Sequence, residues 1–133
     1  MARSTERRWP AALIAAALAL PAHATNVACH LTYGGETRIV SARPTTAPET
    51  VAPVAIGSYF LFRIVFRQEP ADLAGIKLTT YADRDEGPTI IHQASHPYPP
   101  PAAAVHGFSG LNFVYEPVRD GELQYWCEVK EKP

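Results

Sequence analysis

Three of the four histidines beyond residue 24, His92, His96 and His106, fall within fifteen positions. Neutral imidazole nitrogens bind copper and zinc, so this cluster is the chain's candidate metal chemistry. His92-x-x-x-His96 would put both rings on one face of a helix. The segment does not read as helix, because Thr89 to His92 is β-like and Pro97 disfavours helical backbone at His96. On an extended strand their α-carbons would lie ~13 Å apart, too far for one ion. A shared copper or zinc ion therefore needs a bend between them, with His106 as a third ligand. The competing reading is loop and surface histidines. The only methionine is Met1, which argues against a copper(I) carrier.

Other reactive groupings are sparse. Ser109 stands near His106, but Gly107-Phe108-Ser109-Gly110 lacks the strand-turn-helix setting of a hydrolase nucleophile. Asp83, Asp85 and Glu86 lack the further ligands of a calcium loop and read as a charged hairpin turn. No phosphate-binding glycine loop occurs. The expectation is a protein that is not an enzyme and has no resident cofactor.

Cys29 and Cys127 are the only cysteines. The amino-terminal stretch indicates their compartment. Arg3, Arg7 and Arg8 precede an unbroken apolar run from Ala11 to Leu20. Pro21 then ends it, and Ala22-His23-Ala24 offers small residues where a signal peptidase reads. The run is half the ~20 residues of a spanning helix, so residues 1–24 read as a cleavable leader. The expected location is the periplasm or outside the cell, with no transmembrane segment after cleavage. There, paired cysteines form a disulfide. A loop of ~100 residues would contribute up to about 4.7 kcal/mol in the chain-entropy model.

Removing 24 of the 133 residues leaves 109, enough for a single domain, 25–133. Three arginines and one glutamate leave with them, so the formal net charge moves from −1 to −3. That balance argues against nucleic acid or an anionic membrane surface as the partner, since both call for a basic patch.

The elements that must carry these side chains are extended. Val27, Cys29, Leu31 and Tyr33 share one parity, with the cysteine facing inward. Gly34-Gly35 is a turn into Glu36–Ala42. Arg43 to Pro53 is Pro- and Thr-rich and reads as a long loop. Phe60, Phe62, Ile64 and Phe66 line one face of the clearest strand and mark the core. Ile76 to Tyr81 and Thr89 to Ala94 are shorter strands. Ser95 to Ala104, with four prolines, reads as a stiff loop. Leu111 to Glu116 alternates, and Leu123, Tyr125, Cys127 and Val129 alternate in the last strand. About seven strands without a long helix predict an all-β fold: one antiparallel β-sandwich, immunoglobulin-like or a small barrel, with Cys29–Cys127 joining first and last strands.

Asp120-Gly121 through Tyr125-x-Cys127 resembles the tyrosine-corner region of immunoglobulin strands over eight residues. The family's first cysteine belongs on the second strand and its core tryptophan between the cysteines. Here Cys29 opens the domain and Trp126 adjoins Cys127, so the resemblance implies sandwich physics alone.

Binding residues are expected where aromatics leave the core. Trp126 lies opposite the cysteine face, as a contact anchor or beneath a loop. His106, Phe108, Asn112 and Val114 form a mixed patch beside it if the last two strands pair. Tyr98 presents a rigid aromatic from the proline run. The leading expectation is an exported, non-catalytic binding or accessory protein, inhibitor-like in its stiff loops, that takes a protein or small ligand. The alternative is metal binding or delivery through His92, His96 and His106.

Overall fold

Alternation of apolar side chains builds two sheets around one core. The computed structural model describes residues 24–101 and 104–132; the rest of the expected leader, 1–23, lies outside the described residues. The strands are β1 (Ala24–Tyr33), β2 (Glu36–Ala42), β3 (Val54–Ile56), β4 (Phe60–Arg67), β5 (Gly75–Arg84), β6 (Gly87–Pro97), β7 (Asn112–Glu116) and β8 (Gly121–Lys132). Sheet A has the order β2-β1-β8-β7, and sheet B the order β3-β4-β5-β6. Every pairing is antiparallel.

Sheet B is a meander whose strands follow one another in the chain. Its inner face carries Phe60, Phe62, Ile64 and Phe66 on β4, and Ile76 and Leu78 on β5, all buried. Sheet A answers with Val27, Cys29 and Leu31 on β1, and Leu123, Tyr125 and Cys127 on β8. Burial of each such aromatic or branched side chain stabilises by roughly 1.5–3 kcal/mol. The rings of Phe62 and Tyr125 meet across the layers at 5.0 Å.

Cys29 and Cys127 are register partners on adjacent strands, and their sulfurs are bonded. The bridge joins first and last strands, as the sequence implies. It lies within one sheet, whereas the immunoglobulin bridge spans two. The tyrosine-corner likeness also stops at the sequence. Tyr125 Oη shares a 2.8 Å hydrogen bond with His92 of the opposite sheet, whereas a tyrosine corner bonds the nearby backbone.

Three elements differ from the sequence reading. Val54–Ile56 is an eighth strand, short because Pro53 and Gly57 bound it. β6 runs on through Pro97, so His96 belongs to a strand. An edge strand tolerates that proline, because no partner needs its missing N–H. β7 is inverted: Val114 and Glu116 face inward and are buried, while Phe113 and Tyr115 face out. The β7–β8 hairpin decides this. Its turn pairs Glu116 with Gly121, which sets Val114 opposite Leu123 and Asn112 opposite Tyr125.

Burying Glu116 removes a carboxylate from water, and two arginines compensate it. Arg84 of β5 donates to Oε1 at 3.0 Å, and Arg119 donates to Oε2 at 3.1 Å. The backbone N–H groups of Val118 and Arg119 donate as well. Desolvation alone would raise the carboxyl's pKa. The hydrogen bonds from Val118, Arg84 and Arg119 outweigh it and hold the group at about 2. Because Arg84 belongs to sheet B, this cluster fastens the two sheets at one end.

Candidate binding face

The outer face of sheet A gathers the aromatic side chains that the core does not take. Strand register sets His30 beside both Ile39 of β2 and Trp126 of β8. The neighbouring row runs Thr37, Thr32, Gln124, Phe113. Tyr115 stands opposite Glu122. Ile39, Phe113 and Tyr115 are each more than half exposed.

Trp126 is half-buried, and its surroundings are ordered by contact. The His30 ring stacks flat on it, with centroids 3.9 Å apart and planes within 2°. His30 Nε2 lies 2.6 Å from Glu128 Oε2, which fixes the imidazole in that plane. His106 meets the indole edge-on at 6.1 Å. The indole is thus walled by two imidazoles.

The loop before β7 places His106. Gly107 has φ +60°, and a Cβ there would come within 2.0 Å of the Cys127 carbonyl oxygen. Only glycine lets the loop approach β8 this closely. Phe108 N–H donates to the Cys127 carbonyl at 3.0 Å, and Cys127 N–H donates to Ser109 Oγ at 2.7 Å. Ser109 Oγ itself donates to the Gly110 carbonyl. The hydroxyl therefore pins backbone at both of its roles, and the loop covers β8 where β7 has ended.

The three histidines singled out for metal are not brought together. His92 and His96 share the inner face of β6 with regular pairing between them, so no bend shortens their ~13 Å separation. His92 bonds Tyr125, His96 packs edge-on against Phe108 at 5.1 Å, and His106 meets Trp126 on the far side of β8. Burial lowers the pKa of both His92 and His96, and pushes that of Tyr125 up to about 12. Among the described residues no three His, Cys, Asp or Glu side chains gather to hold an ion.

The predicted binding residues separate likewise. Trp126 is on the outer face. Phe108 and Tyr98 are half-buried at the core's rim, Tyr98 edge-on to Phe66 at 4.8 Å with its hydroxyl accepting from Gln68. They line a shallow groove with Pro99 to Pro101 and Val129. Asn112 and Val114, expected beside Trp126, face the interior, and Phe113 and Tyr115 take their place. Sequence reasoning missed those two and Ile39. The signal was available in the β7–β8 turn length, which sets the parity of β7 against the cysteine face of β8.

Among the described residues no helix is long and apolar enough to cross a membrane. No protein-family model, curated protein or solved structure matches this chain.

Proposed function

We propose that this chain is an exported, non-catalytic binding protein that holds another protein on the outer face of sheet A. The carrying observation is the flat His30–Trp126 stack, set among Ile39, Phe113 and Tyr115 on an open sheet surface. Exposed aromatic side chains gathered on one sheet face mark contact sites, and tryptophan and tyrosine dominate binding energies there. Ordering the indole beforehand reduces the entropy lost on association. Glu122, Glu128 and Lys130 rim the aromatic rows with both signs of charge, so the matching partner surface is apolar at its centre with a charged rim. Export is supported by the leader-like start of the chain and by the disulfide, which persists in oxidising compartments. Periplasm and exterior both satisfy it.

The test is site-specific crosslinking in the exported fraction of the source cells. A photoreactive residue at Phe113 should yield a discrete protein adduct, and one at Lys77, on the other sheet, should not. Trp126→Ala should remove the Phe113 adduct while the protein stays folded. Equal crosslinking from both positions, or an adduct indifferent to Trp126→Ala, would reject the assignment.

A further inference from the structure

The outer face of sheet B has the opposite character. Arg63, Val65 and Arg67 of β4 project there, beside Lys77 of β5 and Ser95 of β6. Register sets Val65, Lys77 and Ser95 in one row, with Arg63 a row to one side and Arg67 a row to the other. Together they floor a groove of about 500 Å³, within the range of small-ligand sites.

Its walls come from two irregular segments. The proline-rich stretch is pinned across β4: Thr45 N–H donates to the Phe66 carbonyl at 2.8 Å, and Arg63 donates to the carbonyls of Val51 and Pro48. That places Pro48 on one side. The short 3-10 turn Ala71–Leu73 supplies Leu73 and Ala74 on the other. Gly75, opposite Arg67 in register, leaves the sheet surface uncovered by a side chain at that point.

The charge is uncompensated. No Asp or Glu lines the groove. Among the described residues, neither Arg67 nor Lys77 makes a salt bridge or a side-chain hydrogen bond to protein, and Arg67 Nε is buried with no acceptor. A buried donor left unpaired is costly. Arg84 and Arg119, by contrast, both serve Glu116, although Arg84 Nε is, like Arg67 Nε, buried without an acceptor. Beyond the groove this face carries Leu61, Thr79, Tyr81, Gln93 and Ile90, and among the described residues its one further charge is the acid Asp83 at the far end of β5. A polyanionic strand would need a longer basic track.

We infer that this groove binds a small organic anion, its oxyanion head between Arg67 and Lys77 and its apolar body against Val65, Leu73 and Pro48. Carboxylate and phosphoryl heads share the chemistry that a guanidinium and an ammonium recognise. The site lies on the sheet opposite the proposed protein-binding face and stands independently of it.

Phenyl phosphate, benzoate and inorganic phosphate serve as probes, titrated into the isotope-labelled exported protein and followed by amide chemical shifts. Phenyl phosphate or benzoate should saturably shift Ala74, Gly75 and Lys77, and whichever binds tighter identifies the head group. Inorganic phosphate should bind roughly tenfold more weakly than phenyl phosphate, because it lacks the body. Arg67→Gln and Lys77→Gln, at positions outside the core, should each weaken the aromatic anion roughly tenfold while leaving the rest of the spectrum in place. The inference is overturned by an absence of saturable shifts up to tens of millimolar, by shifts mapping elsewhere, or by affinity unchanged in both variants. Inorganic phosphate binding as tightly as phenyl phosphate would overturn the organic class.

Discussion

Sheet B is made of four strands consecutive in the chain, and sheet A is made of strands from both its ends. The hairpins of sheet B close over short loops, so its pairing follows from local contacts. Sheet A must bring β1 to β8 across a separation of 98 residues, and there the molecule places its disulfide. The outer faces diverge as well. Sheet A shows aromatic rings with a histidine–glutamate contact beside them, and sheet B shows a groove lined by cations and by no acid. The locally built layer carries a groove walled by its β4–β5 loop and by the stretch that crosses over from sheet A. The long-range layer carries a broad face that exists only once the termini have met.

The largest test of that division is removal of the bridge. Replacing Cys29 and Cys127 together by serine should cost about 2–5 kcal/mol in urea unfolding. Hydrogen exchange should show β1 and β8 losing protection before β4 and β5. Equal loss in both sheets would mean that sheet A has no special dependence on the crosslink.

Next comes the acid end of the molecule, where Glu116 fastens one sheet to the other. Its folded pKa of about 2 lies below the ordinary 4.5. A depressed carboxyl contributes stability that is present above pH 4.5 and lost as the pH falls toward 2. Glu116→Gln should lower the melting midpoint by roughly 10 °C at neutral pH and remove that part of the acid transition. An unaltered acid profile would show that the cluster does not couple the sheets. His92 and His96, also depressed, titrate earlier: stability should begin to fall as the pH drops below 6.5. His92→Phe should flatten that shallower step, read as the melting midpoint against pH.

A smaller effect should follow from Gly107→Ala. The positive φ and the close Cys127 carbonyl imply a cost of about 1–3 kcal/mol. Tryptophan fluorescence should shift as His106 leaves the indole, while β4 and β5 keep their exchange rates. The smallest effect on stability belongs to Trp126→Ala. At a half-buried outer position it should cost about 1 kcal/mol or less, yet remove the Phe113 crosslink. A large loss of stability would make Trp126 a structural residue.

The sites divide in the same way as the sheets. Reading β4 as the core strand needed only alternation, and the outward arginines of the future groove were visible on its other face. Their isolation from acids was not legible, because it depends on where the 43–53 loop and the Ala71–Leu73 turn come to rest. On sheet A, the outward position of Trp126 followed from the cysteine parity. The neighbours of Trp126 did not. His30 comes from the far end of the chain, and Phe113 and Tyr115 are set by a hairpin register that side-chain type alone misassigns, since Glu116 occupies the buried position.

By itself, the sequence determined an all-β chain, the central strand of its core, the pairing of its two cysteines and the outward face of Trp126. Each follows from period-two alternation or from cysteine count, which act along one strand at a time. Only the tertiary structure decided which strands are neighbours, that the metal-like histidines face apart, that Glu116 is buried between two arginines, and that an aromatic stack and a cationic groove lie on opposite outer faces. Those outcomes depend on register between distant segments, where a shift of one residue turns every side chain to the opposite face.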